Sequence, residues 1–254
     1  MIALRLLFFN LIKFTDLRNK FYQWIIFCQP LIFLTILYFM LKVNPAINID
    51  KYIFAVGIIS AWSFILYASG TALISEKWGG TFELILGSNT SLFRIVLTKS
   101  VCNSLIGLLN ICLTILYAQI IYGFEIHTSN LILSISSLIV LIYSLISLGM
   151  VLAVLCSLFN NVFEYQNLMV FPFLILSGLF IPVNDLPLIF QPISYVIPMT
   201  WSIKSLYDSL IGIEFSYFYL LGGILISSFY FVLTYIFISK IELIFRKTNK
   251  IGVF

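Results

Sequence analysis

Charge is scarce in this sequence. Of its 254 residues, 9% are Asp, Glu, Lys or Arg and 61% are hydrophobic, and the mean hydropathy is +1.10. A soluble domain of this length cannot be built that way, so the chain is a membrane protein. The scarcity is also positional. Five apolar runs (22–41, 52–74, 100–123, 131–159 and 217–239) contain no Asp, Glu, Lys, Arg or His. An intramembrane charge costs roughly 2.5–3.5 kcal/mol or more and usually marks an ion path or a proton relay. Without one, uphill transport would have to draw its energy from outside the membrane.

Catalytic signatures are missing too. There is no GxxxxGK followed by Ser or Thr, no HExxH and no GxSxG, which leaves nothing to bind a nucleotide phosphate or to hold a nucleophile. The single histidine, His127, lies in a short polar loop and reads as solvated. Cys28, Cys102, Cys112 and Cys156 fall inside apolar runs without metal-ligand spacing and should form no disulfide. No basic cluster is interleaved with exposed aromatics, so nucleic acid is excluded as a partner despite a net charge of +4. No internal repeat and no low-complexity linker interrupts the chain. Residues 1–254 form one transmembrane unit.

The runs that are present set the topology. A helix of about 20 apolar residues crosses a bilayer, and the five long runs qualify. A sixth run, 168–182, is shorter, contains Pro172 and ends at Pro182; its span is expected to begin earlier, near Val162, and to cover 162–182. Six spans are therefore expected in an all-α fold. Residues 1–21 put Leu4, Leu7, Phe8, Leu11 and Phe14 on one helical face, with Lys13, Asp16 and Lys20 on another, the pattern of an amphipathic helix lying on the membrane surface. With the N-terminus inside, eleven basic residues fall on the cytoplasmic side and three outside. The positive-inside rule then puts both termini and the 75–99 segment in the cytoplasm.

Within the spans, Gln23, Gln29 and Pro30 mark a polar point and a kink in the first helix. Asn103, Gly107, Asn110 and Thr114 share one face of the third, where small and polar residues favour helix packing over a substrate contact.

Two stretches carry more than topology. Residues 75–99 read SEKWGGTFELILGSNTSLFRIVLTK. A short apolar helix over 81–86 has Glu83 in its first turn, where an acidic residue suits the helix dipole. Gly87 can cap its end, and Ser88 to Ser91 can cap the next helix. Read alone, this is either an interfacial loop or a docking element. Residues 171–210 hold five prolines (Pro172, Pro182, Pro187, Pro192 and Pro198) in an apolar background. Such backbone survives at membrane depth only against protein or a water-filled cavity. Broken, re-entrant helices are expected between the fifth and sixth spans.

Glu76, Gly80, Thr81, Glu83, Ile85, Leu86, Ser91 and Lys99 together resemble the cytoplasmic loop of ABC-2-type transporter permeases, with Asn89 where that family often has proline. Ser177-Gly178, Pro182, Pro187 and Pro198 resemble the family's pattern after its fifth helix, with Ile197 where Asn is common. The resemblance implies the permease subunit of an ATP-driven exporter of a drug, peptide, lipid or lipid-linked glycan. It implies a coupling helix between the second and third spans, with Glu76, Gly80, Thr81 and Glu83 at the ATPase contact. The partners would be a separate ATPase chain, carrying ATP and Mg, and a second permease in a homo- or heterodimer. This chain itself would hold no cofactor and catalyse nothing. Gln29, Phe171, Ser177, Gly178 and Pro182 are candidates for a translocation path or dimer interface. The Ile-, Phe- and Asn-rich composition suits an AT-rich genome, bacterial or plastid, so the membrane expected is a cell (inner or plasma) membrane, with a plastid membrane as the alternative. The competing reading is a membrane assembly factor or an integral membrane enzyme that binds a partner through 75–99.

Overall fold

The computed structural model describes residues 19–44, 48–87, 90–127, 129–158, 161–211 and 217–248, without the side chains of Glu83, Leu86, Ile211 and 244–248. The interfacial helix expected over 1–21 lies almost wholly outside them.

All regular structure among the described residues is helical. In chain order it comprises α1 (Lys20–Val43), α2 (Ile49–Gly70), α3 (Ala72–Trp78), α4 (Phe82–Gly87), α5 (Leu92–Ile120), α6 (Leu131–Ser157), α7 (Val162–Leu176), α8 (Phe190–Val196), α9 (Pro198–Ile211) and α10 (Tyr217–Thr248). Five helices are long and apolar enough to cross a membrane: α1, α2 continued by α3, α5, α6, and α10 as far as Leu243. Their ends differ from the expected spans. The second runs on to Trp78 rather than 74, and the third begins at Leu92 rather than 100, because their polar ends are absorbed by packing.

The α2–α3 helix is the centre. Of its apolar window 89% is buried, against 28% for α1 and for α10. It pairs most closely with α5 through missing side chains. A Cβ added at Gly57 would lie 3.2 Å from the Ile111 Cα, and one at Gly107 would lie 2.9 Å from the Ile65 side chain. Asn103 donates to the Ser69 hydroxyl (3.1 Å) and Asn110 to the Ser60 carbonyl (3.4 Å). Thr114 turns back onto the Asn110 carbonyl (2.7 Å). The face expected to pack does pack, and all four of its residues are buried.

The first helix bends where proline was expected to bend it. Pro30 has no N–H for the carbonyl four residues back, and its ring crowds that carbonyl. The strain is taken up by a π-turn over Trp24–Cys28, closed by the Gln29 N–H on the Trp24 carbonyl.

The fifth helix ends earlier than expected: α7 stops at Leu176, not at Pro182. Ser177 caps it and Gly178 follows at φ +76, with its N–H on the Ile175 carbonyl. This left-handed C-terminal turn favours glycine and stops the helix before the proline is reached. The chain then forms a 3-10 turn at Val183–Asp185, α8 and α9.

Helix α9 is held against α6 by a ladder of serines. Ser134 bonds Ser209 (3.1 Å), Ser137 bonds Ser205 (2.8 Å) and Ser202 donates to Ser144 (3.2 Å). Small hydroxyl residues let two helices approach closely and bond across the contact. On its other side the Trp201 ring packs against α10, where Gly222 leaves room: a Cβ there would sit 2.3 Å from the ring.

Candidate functional site

Two places gather the residues singled out in the sequence. The first is the turn between α3 and α4. Helix α3 ends at Gly79, and Gly80 follows at φ +66. The Thr81 N–H bonds the Glu76 carbonyl (3.1 Å) and the Gly80 N–H bonds the Lys77 carbonyl (3.2 Å). These are the two bonds of a Schellman motif, which explains why Gly80 is glycine. Thr81 then accepts the Ile85 N–H on its carbonyl (3.0 Å) and opens α4. The expected helix over 81–86 is observed as Phe82–Gly87, with Glu83 in its first turn.

A buried ion pair fixes this turn. Lys99 Nζ, on α5, lies 2.6 Å from Glu76 Oε1 and 2.8 Å from the Ala72 carbonyl. The Thr81 hydroxyl donates to the other carboxylate oxygen, Oε2. Glu76 and Lys99 are each 5% exposed. Two contacts, one cationic and one hydroxyl, thus satisfy the two oxygens of a carboxylate that would be costly to bury alone. Glu76 therefore faces inward and holds the turn from beneath. The outer surface is made by Trp78 (66% exposed) and Leu84 (74% exposed) together with the exposed Gly79, Gly80 and Thr81. Phe82, on the opposite side of α4, is buried among Ala72, Leu73, Leu92, Val96 and Ile238.

A further support was not expected. Ser91 occupies the N-cap of α5 but makes no side-chain cap bond. The Leu92 N–H is instead bonded by Glu242 Oε2 from α10 (3.1 Å), beside a T-shaped contact of Phe93 with Tyr235. An acidic residue at a helix start is a local signal in sequence. One supplied from 150 residues away is not.

The second place is a cleft of about 290 Å³ between α1, α2 and α7, lined by Trp24, Gln29, Ser63, Tyr67, Asn167 and Phe171, among others. It unites Gln29 and Phe171. Gln29 donates to the Ser63 hydroxyl (3.1 Å), and the Tyr67 hydroxyl donates to Asn167 Oδ1 (2.5 Å). Ser177, Gly178 and Pro182 do not line it. The Ser177 hydroxyl is buried on the Leu174 carbonyl (2.8 Å), Gly178 makes the left-handed turn, and Pro182 is exposed ahead of the 3-10 turn. Tyr67 and Asn167 carried no motif. They become legible only once α2 and α7 are known to be neighbours.

A bundle of apolar helices, five of them long enough to cross a bilayer, defines a multi-pass transmembrane protein. The sequence profile of the ABC-2 type transporter family matches residues 11–211, and the chain belongs to that family. It is 26% identical over 167 residues to a probable multidrug ABC transporter permease, YbhS, of Escherichia coli, a match covering 64% of this chain and 44% of that protein. It is 38% identical over 66 residues to nodulation protein J of Rhizobium leguminosarum bv. viciae, 26% of each chain. The matched part thus spans less than half the length of these relatives.

Proposed function

We propose that the chain is the permease subunit of an ATP-driven exporter, that a separate ATPase docks on the α3–α4 turn, and that an amphipathic or hydrophobic cargo passes along the α1–α2–α7 side. The observation that carries this reading is the turn itself. Leu84 and Trp78 stand out from a segment that a Schellman motif and a buried ion pair hold rigid. A solvent-facing apolar residue on a rigid turn is suited to a partner surface, and a rigid turn passes on the motion of whatever docks there. ATP and Mg would bind the partner, which drives the cycle from outside the bilayer.

On this reading α1, α2–α3, α5, α6, α7 and α10 make six crossings, with both termini and the α3–α4 turn in the cytoplasm of a bacterial, or alternatively plastid, membrane. Helix α7 rises only about 22 Å over its 15 residues, short of a hydrocarbon core of roughly 30 Å. The 3-10 turn, α8 and α9 would fill the remaining depth as re-entrant structure. A second permease, identical or not, completes the unit.

The test is retention of a P-loop ABC ATPase of the same genome, sought first in the neighbouring reading frames, when the two are co-expressed and the permease is purified. Wild type should retain it. Leu84→Glu and Glu83→Lys should lose it while still inserting and eluting as wild type. Retention at the wild-type ratio by both variants refutes docking at this turn.

A further inference from the structure

We infer that the α1–α2–α7 cleft binds the uncharged, hydroxyl-bearing headgroup of an amphiphile that reaches it sideways from the bilayer. The role of the site in export rests on the reading above; its chemistry rests on the cleft alone.

The first argument is the hydrogen-bonding inventory. Gln29 Nε2 is engaged with Ser63, while Gln29 Oε1 is buried and has no partner among the described residues. Asn167 accepts from Tyr67 through its oxygen, which leaves its amide N–H groups as donors. The Ser63 hydroxyl, accepting from Gln29, keeps its own proton to give. The cleft therefore offers an acceptor on α1 and donors on α2 and α7. A hydroxyl, which gives one hydrogen bond and takes others, suits such a mixture better than a group that only accepts. An unmet buried acceptor is costly until a ligand supplies the missing donor.

The second argument is charge. Among the described residues, no Asp, Glu, Lys, Arg or His lines the cleft. An ionised headgroup would lose its water and find no counter-ion, so carboxylates, phosphates and ammonium groups are disfavoured. The third is shape. The volume lies at the lower end of the roughly 300–1,000 Å³ usual for small-molecule pockets, enough for a headgroup and not for a long tail. The rim is aromatic and open: Phe21, Trp24 and Phe171 are 45%, 48% and 68% exposed, so a tail can stay among lipid tails. The π-turn of α1 lies directly before Gln29, and such wide turns are frequent at functional positions.

The test uses the full chain, purified without glycosidic detergent and placed in phosphatidylcholine nanodiscs. Two photoreactive probes share one diazirine-bearing dodecyl tail; one carries a β-glucoside headgroup and the other a carboxylate. The glucoside should label 21–29 and 167–171 saturably, excess dodecyl glucoside should compete, and the carboxylate at pH 7 should not label these segments saturably. Gln29→Leu should weaken the saturable labelling about fivefold, as expected for one lost hydrogen bond. Asn167→Ser serves as the gentler variant, with a smaller loss. Equal labelling by both probes, labelling that does not saturate, or no change in either variant overturns the proposal. Failure of the wild-type chain to retain an ATPase, with saturable glucoside labelling present, would remove the exporter reading and leave the site. The converse would remove the site and leave the exporter.

Discussion

The Glu76–Lys99 pair makes the sharpest prediction. Both residues are 5% exposed, and the ammonium sits 2.6 Å from the carboxylate and 2.8 Å from the Ala72 carbonyl. Lys99→Met removes the cation and strands a buried carboxylate with only the Thr81 hydroxyl. Breaking a buried pair from one side costs about 3–5 kcal/mol. Glu76→Gln is milder, because its amide oxygen can still accept from Lys99. The loss is then that of a charge-assisted bond, about 1.5–3 kcal/mol. The double variant leaves no stranded charge and should fall well short of the sum, with a coupling of at least about 2 kcal/mol. For a chain of this size each kcal/mol moves Tm by roughly 2–4 °C. Lys99→Met should therefore lose on the order of 6–20 °C and the double variant should lose less. The assay is the temperature at which the solubilised protein leaves its monodisperse elution peak. The same series reads the proposed coupling: Lys99 is buried and cannot touch a partner, yet Lys99→Met should weaken ATPase retention, because Glu76 anchors the turn that carries α4. Single variants within about 1 °C of wild type, or strictly additive losses, would show that the pair does not hold the turn.

Two further predictions concern placement and the end of α7. In a cysteine-free background, cysteines at Asn48 and Asp185 should react with an impermeant thiol reagent in intact cells, and one at Trp78 should not; reaction at Trp78 would refute the proposed cytoplasmic turn. Gly178→Ala forces a side chain into a backbone at φ +76, with its Cβ 3.0 Å from Val183, and should cost about 1–2 kcal/mol as a lowered Tm, while glucoside labelling of the cleft is unchanged; an unchanged Tm would refute the left-handed turn.

What the sequence made legible was whatever local spacing controls. The five long helices follow from apolar run length, and the α5 packing face follows from three- and four-residue spacing. The helix–turn–helix of 75–99 is visible because Glu83 suits a helix start, and Gly87 and the serines after it suit a helix end and the next cap; the Schellman turn at Gly80 emerges only in the structure. The end of α7 has a local signal in Ser177-Gly178, whose left-handed turn stops the helix before Pro182 can act. The inward turn of Glu76 was hidden for another reason. Glu76, which the resemblance puts at the ATPase contact, reads as surface, and Lys99 reads as one more inner-face charge. Only the antiparallel packing of α3 on α5 brings them together. The serine ladder of α6 and α9 and the Glu242 cap were hidden in the same way, since serine and glutamate patterns have no meaning until their facing helix is known.

The cleft and the turn are also less separate than their distance along the chain suggests. Ser63 and Tyr67, which line the cleft, stand on the last turns of α2; the helix breaks at Gly70 and Thr71 and resumes as α3, which carries Glu76. At the break the Thr71 hydroxyl folds back onto the Tyr67 carbonyl (2.8 Å), a contact that bends helices. Gln166 of α7 reaches across to the Leu66 carbonyl (3.1 Å) and the Tyr67 carbonyl (3.4 Å). It fits because residue 70 has no side chain: a Cβ there would lie 2.2 Å from its amide nitrogen. At the far end of α3, Trp78 meets Phe163, also of α7, with ring centroids 6.2 Å apart. Helix α7 thus touches the α2–α3 helix above, at and below its one joint, and its next residue, Asn167, is in the cleft. On the proposed reading, the turn is joined to the cleft wall by two short chains of contacts, through α3 to Tyr67 and through Phe163 to Asn167. They meet at the Tyr67–Asn167 hydrogen bond, the contact through which docking at the turn would reach the proposed cargo site.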